Sequence, residues 1–204
     1  MTIQPFTEDE QDALQELANV AMGQAGRSLS LLLDDYVALS VPLVRLVAAA
    51  DAPATMANLV GYPKNVTAVR QGFYRGLRGE ALTIFDGDGW RYLGDLVGEE
   101  GPVDDQTGHE LVLEIANILV GAVLGGLGEQ IGMEFSYSPP SILGLGQPVE
   151  EILVTEDLEW SHALLMEVNF SQEKRDFTCH LLALMPENSV TALRGELRAI
   201  LEGL

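Results

Sequence analysis

The chain has 204 residues, 47% of them hydrophobic, and a formal net charge of −20 from 31 acidic against 11 basic side chains. That length and apolar content suffice for one large core or two fused halves, while the negative charge argues against nonspecific attraction to nucleic acid or to an anionic membrane surface. Protein or small-molecule partners remain, and the single cysteine, Cys179, can form no internal disulfide and reads as a buried thiol in a strand.

The first residues carry no basic segment followed by an apolar run, so no secretion signal is expected and the cytoplasm is the default compartment. Thr7-x-x-Glu10 fits a capping box with Phe6 as a hydrophobic staple, which predicts a helix from about residue 8 to Leu33. Residues 36–47 have strand composition, with Pro42 demoting them to an edge or a bulge, and 49–63 read as a loop with a short helical turn. Residues 65–73 and 80–85 are expected to form a hairpin through the Gly76–Gly79 turn. Asp86-Gly-Asp-Gly89 resembles the start of a calcium loop, but Trp90 and Val97 stand where further oxygen ligands belong; a calcium-free turn followed by a short helix is expected.

After the Gly101–Asp105 link, a second long helix is predicted over about 105–131, with Thr107-x-x-Glu110 as its capping box. Its most apolar part, 115–127, is too short to span a bilayer, so no membrane segment is expected. A strand over 133–140 that repeats the first with its proline, a loop holding Gly144, Gly146 and Pro148, a second hairpin from 163–170 and 177–184, and a last helix capped by Asn188 or Ser189 and ending near Glu202 complete the reading. Gly144-Leu-Gly146 opens no obvious helix and is weak as a phosphate cradle.

One stretch of the first helix recurs. Glu16, Asn19 and Gly23 recur 98 positions later as Glu114, Asn117 and Gly121, and Pro42 and Pro140 each follow their Asn by 23 residues, while Glu110 stands where the first copy has Asp12. A second match at four named residue types arises by chance about once in a thousand starts or less, given average usage. At about 100° per residue each set forms one narrow helical stripe. Leu14, Leu17, Ala21, Ala25, Ser28 and Leu32 occupy the opposite side of the first helix, and Val112, Ile115, Leu119, Ala122 and Val123 that of the second. The aliphatic sides should dock inward and leave Glu and Asn presented together, with a glycine one turn on where another backbone can come close. A single exposed Glu-x-x-Asn is most often just a solvated face; two copies with matching prolines are not. The expected architecture is α+β: one compact unit of two repeats, 1–102 and 103–204, related by pseudo-twofold symmetry, with a largely antiparallel central sheet flanked by helices.

Other chemistry is poorly supported. His109, His162 and His180 are isolated, His109-Glu110 lacks the second histidine of a zinc helix, and Ser28 has no identifiable His and Asp partners. Met22 falls off the stripe and reads as surface or packing.

The repeated pattern resembles that of the CheC/CheX/FliY-type phosphatases of bacterial chemotaxis, whose signature is Asp or Ser, three residues, Glu, two residues, Asn, then 22 residues and Pro. Asp12, Glu16, Asn19 and Pro42 fill it, and Glu114, Asn117 and Pro140 fill it again with Glu110 in the first place. Two sites in one chain look most like CheC. The resemblance implies hydrolysis of the aspartyl phosphate of a CheY-like response-regulator receiver, with Asn19 and Asn117 orienting water and Glu16 and Glu114 docking on the receiver lysine. It implies no cofactor on this chain, with Mg²⁺ on the receiver, and a monomer. A noncatalytic module binding a phosphorylated receiver or a CheD-like deamidase is the alternative, and a motor component like the FliM middle domain is a further one. The intact Glu and Asn pairs, and the lack of room for the extra segments of flagellar switch proteins, are expected to favour the phosphatase.

Overall fold

The computed structural model describes residues 6–33, 37–39, 44–60, 65–86, 104–152, 162–172 and 175–203. Helix α1 spans Glu8–Leu33, strands β1 and β2 span Val37–Leu39 and Val44–Ala48, and a 3-10 turn at Ala49–Asp51 leads into α2, Ala52–Val60. Strands β3 (Asn65–Arg75) and β4 (Gly79–Asp86) precede α3 (Asp105–Ile131), β5 (Phe135–Tyr137), β6 (Ser141–Pro148) and the short α4 (Val149–Ile152). The hairpin of β7 (His162–Gln172) and β8 (Arg175–Met185) and helix α5 (Glu187–Glu202) follow.

All pairings in the sheet are antiparallel, in the order β1-β7-β8-β4-β3-β5, with β2 also on β7 and β6 also on β3. This is the α+β class expected. The order reads the same when the strands of the first half are exchanged with those of the second. Val37 pairs with Gln172 and Leu39 with Phe170, just as Phe135 pairs with Arg75 and Tyr137 with Phe73.

Each face of the sheet is covered. Alternate residues Val69, Phe73, Ala81, Phe85, Leu164, Leu181 and Ala183 meet α1, α3 and α5 in the larger core. Their neighbours Val66, Ala68, Leu82, Ile84, Leu165 and Leu182 meet α2 and α4 on the other face. The period of two places successive side chains on opposite faces, so both sets are apolar because both faces are covered. Fully burying one such leucine or phenylalanine contributes about 1.5–3 kcal/mol before entropy is counted. Cys179 lies in the larger core, as its strand setting implied.

The α1 capping box forms: Thr7 N–H donates to Glu10 Oε2 at 3.0 Å and Glu10 N–H to Thr7 Oγ1 at 3.2 Å. The staple does not. Phe6 lies instead under the Arg194 guanidinium of α5, 4.9 Å from its ring centre, while Glu10 turns inward to Arg194 and Arg198. The α3 box is also replaced. Asp104 accepts from Thr107 N–H at 2.8 Å and caps the helix, leaving Glu110 exposed and accepting from Gln106 Nε2. Helix α5 begins behind Pro186 rather than at Asn188 or Ser189. Ser189 is buried and spends its hydroxyl on Arg78, in the β3–β4 turn, because tying that turn down leaves no hydroxyl for a cap.

Two segments read as loops are regular. Residues 141–148 form β6, which pairs with β3 across a register shift between Val66 and Val69; its glycines and proline suit an irregular strand and hid it. The 49–63 loop contains the nine-residue α2. The core arc of α1 is also turned: Leu14, Ala18, Ala21 and Met22 are buried and Ser28 is exposed. The cause is α3, which packs beside α1 and covers a second flank; Gly126 lies so close to Ala21 that an added Cβ would stand 2.8 Å from its Cα. By length and hydropathy α3 could cross a bilayer, but 61% of its apolar window is buried inside the fold. The turn expected at Asp86–Gly89 beyond its first residue, the helix expected at 90–97, most of the link between the halves and Pro42 lie outside the described residues.

Candidate functional site

The second copy of the stripe lies on the outer face of α3. Glu110, Glu114 and Asn117 are exposed and Gly121 is half-buried, while Val112, Ile115, Ala116, Leu119 and Val120 hold the opposite side in the core. The first copy on α1 differs in one respect. Asp12, Glu16 and Gly23 are exposed, but Asn19 is half-buried, because the turned core arc brings it to the margin.

A Cβ added at Gly23 or at Gly121 would meet nothing within 4 Å. No internal packing therefore requires a glycine at either place, although glycine weakens a helix interior by about 1 kcal/mol relative to alanine. Two side-chain-free patches remain, each one turn beyond an asparagine.

The Asn-to-Pro spacing has a structural reason on the second copy, and it runs through a residue that the sequence reading did not select. Gln71, on β3, is 2% exposed. Its Nε2 donates to Asn117 Oδ1 at 2.8 Å and to the Ser138 carbonyl at 2.9 Å. Ser138 N–H donates to the Gly72 carbonyl at 2.9 Å, and Gly72 N–H to Ser138 Oγ at 2.9 Å. The segment from Ser138 to Pro140 is thus clamped to β3 beside Asn117. The only sequence signal for Gln71 is a polar side chain set between Val69 and Phe73, both of which lie in the apolar core.

On the first copy, α1 reaches the strand after Pro42 through other side chains. Gln11 Nε2 donates to the Val44 carbonyl at 3.3 Å, and Val44 N–H donates to Gln15 Oε1 at 3.2 Å. Asn19 Oδ1 is buried and has no hydrogen-bond partner among the described residues. An unpaired buried carbonyl oxygen costs about 1–3 kcal/mol, so the two carboxamides are held unequally.

Each stripe presents two carboxylates and one amide. Among the described residues no three His, Cys, Asp or Glu side chains gather as a metal centre would require. Burial pushes the Tyr137 phenol up and the His162 imidazole down; the Tyr137 hydroxyl lies near Gly125, one turn beyond Gly121, where an added Cβ would stand 3.6 Å from it. Four exposed acids on two helices, in a chain of charge −20, suit a partner that brings positive charge.

No family model and no curated protein sequence matches the chain. Solved structures do match. The fold is shared with FliY of Thermotoga maritima at 22% identity and a TM-score of 0.73, over 95% of this chain and 98% of that one. It is also similar to the FliM middle domain of H. pylori, at 6% identity and a TM-score of 0.62 over 94% of this chain and 99% of the other. A third match is a chain of the CheX-CheY-BeF3-Mg²⁺ complex of Borrelia burgdorferi, at 16% identity and a TM-score of 0.50 over 82% of this chain and 96% of that one.

Proposed function

We propose that the chain is a phosphatase acting on the aspartyl phosphate of a CheY-like receiver domain, working from the Asn19 and Asn117 stripes. The observation that carries this reading is the exposed Glu114–Asn117 pair, with its carboxamide held from below by Gln71 and an open glycine one turn on. The CheX–CheY complex supports it: a chain of this fold occurs there with a receiver and BeF3, a phosphoryl mimic, with Mg²⁺.

The chemistry asked of this chain is small. Water attacks phosphorus in line, the bond from phosphorus to the aspartyl oxygen breaks, and inorganic phosphate and free aspartate result. The receiver brings its own Mg²⁺ and lysine to neutralise charge, so the helper has only to dock and to place water. A neutral amide does this without acting as a base, as a glutamine does in GTPases. Glu16 and Glu114 pair with the receiver lysine and set the register. Asp12 and Glu110, farther up each stripe, extend the acidic contact; Glu110 is free for this role because Asp104 caps α3.

Phosphate release from phosphorylated receivers of the same organism tests the reading. Asn19→Ala and Asn117→Ala should each remove part of the activity and the double variant nearly all of it, with docking little changed. Glu16→Ala or Glu114→Ala should weaken docking as well, by about 1–3 kcal/mol where the pair is desolvated. Full activity in the double asparagine variant refutes the mechanism, and receiver binding without any turnover would make the chain a binding module.

A further inference from the structure

We propose that Gln71 is a positioning residue for the second site: it locks the Asn117 carboxamide with Oδ1 inward and Nδ2 leading toward the partner, an anchor that the first site lacks. The inference rests on the phosphatase reading and adds to it the atom that does the work and the inequality of the two sites.

The orientation follows from what each group can do. A backbone carbonyl only accepts, so Gln71 must face Ser138 with its Nε2 end, at 2.9 Å. The second N–H on the same nitrogen then points to Asn117, which must answer with its only acceptor, Oδ1, at 2.8 Å. Asn117 Nδ2 is left outward with no partner among the described residues. Its two N–H groups are what the bound receiver meets. An amide N–H donating to the oxygen of a water occupies one lone pair and leaves the other free for phosphorus. The water is then held by donation, and the rigidity of the hold is set by Gln71, itself immobilised by burial and by the Ser138 clamp.

The first site has the same outline without the anchor. Strand β1 pairs with β7 as β5 pairs with β3, and in that register the position matching Gln71 is Val168, a residue with no side-chain hydrogen-bond donor. Asn19 Oδ1 faces inward and finds nothing to accept from among the described residues. Its amide can rotate at little cost, so water at that site is held loosely. The Asn117 site is thereby the more active of the two.

Gln71→Met keeps the length of the side chain and removes the donor. In an Asn19→Ala background, where only the second site works, it should lower kcat for phosphorylated-receiver turnover about five- to ten-fold, the size of one net hydrogen bond, with KM within about two-fold. In the cycle with Asn117→Ala the losses should not add, since Gln71 acts only through that amide. Additive losses, a change confined to KM, or no change in kcat overturn the proposal. Absence of turnover in the unmodified protein would be a failure of the phosphatase reading instead, and the anchor is then read without activity: the NMR order parameter of the Asn117 side-chain amide should fall in Gln71→Met, and an unchanged value overturns it.

Discussion

Glu10→Gln probes how α1 is fastened to the rest of the fold. The Glu10 side chain is 3% exposed and lies 2.7 Å from Arg198 Nε and 3.3 Å from Arg194 Nε, with a further bond from Thr7 N–H. Burial pushes its carboxyl up, but the Thr7 and Arg198 hydrogen bonds and the charges of Arg194 and Arg198 outweigh it and hold the group below its ordinary value of 4.5. Glutamine keeps the shape and the capping bond and deletes the charge, leaving two guanidinium groups facing a neutral amide. Removing one partner of a fully buried pair costs about 3–5 kcal/mol. Arg198 is 60% exposed and its share is screened, whereas Arg194 is only 15% exposed, which brings the expectation to about 2–3 kcal/mol. A carboxyl with a depressed folded pKa contributes stability that is fully present above its unfolded pKa and is lost as the pH falls through the folded one. Urea unfolding of both proteins should therefore show a gap at neutral pH that closes on acidification below 4.5. A gap within about 0.5 kcal/mol at neutral pH, the scatter of ordinary surface changes, or one that persists undiminished into acid, would refute the reasoning.

The glycines give two more tests. Gly121→Ala should stabilise α3 by up to about 1 kcal/mol, since its Cβ meets nothing within 4 Å, whereas Gly121→Trp should leave the melting temperature unharmed and weaken receiver binding about ten-fold or more; unchanged affinity in the tryptophan variant would mean that no partner backbone approaches there. Gly79→Ala would put a Cβ 2.2 Å from the Leu184 carbonyl oxygen and 2.5 Å from Phe73 Cζ. It should cost about 1–3 kcal/mol in denaturant unfolding, and a neutral result would show that Gly79 does not lie this close to Leu184 and Phe73.

The two long helices and the two hairpins were legible because each rests on a local signal: the Thr7–Glu10 box, the 3.6-residue stripe, and apolar runs joined by a short turn. What was missed depends on contacts distant in sequence. Asp104 displaced the Thr107 box by one better-placed carboxylate, and Met22 joined the core only because α3 lies beside α1. Strand β6 is specified by β3 rather than by its own glycine-rich residues, a case of tertiary context overriding propensity. The four side chains proposed from the sequence, Glu16, Asn19, Glu114 and Asn117, lie on the two long helices, exposed except for the half-buried Asn19. The residue that supports Asn117 was not legible, since nothing within a few positions of Gln71 connects it to an asparagine 46 residues away.

The exchange of strands between the halves constrains how the chain comes to be folded at all. Among the described residues, strand β1 has no hydrogen-bonding neighbour until residues 170–172 exist, and β4 presents an open edge until 179–184 arrive. At the usual pace of translation, about 5–20 residues per second, β1 waits on the order of ten seconds beyond its own synthesis. Throughout that interval the nascent chain carries unpaired strands and an uncovered apolar helix face, the combination most prone to aggregate. A ribosome that stops before the last hairpin therefore releases not a smaller domain but a chain whose first sheet edge has nothing to close on.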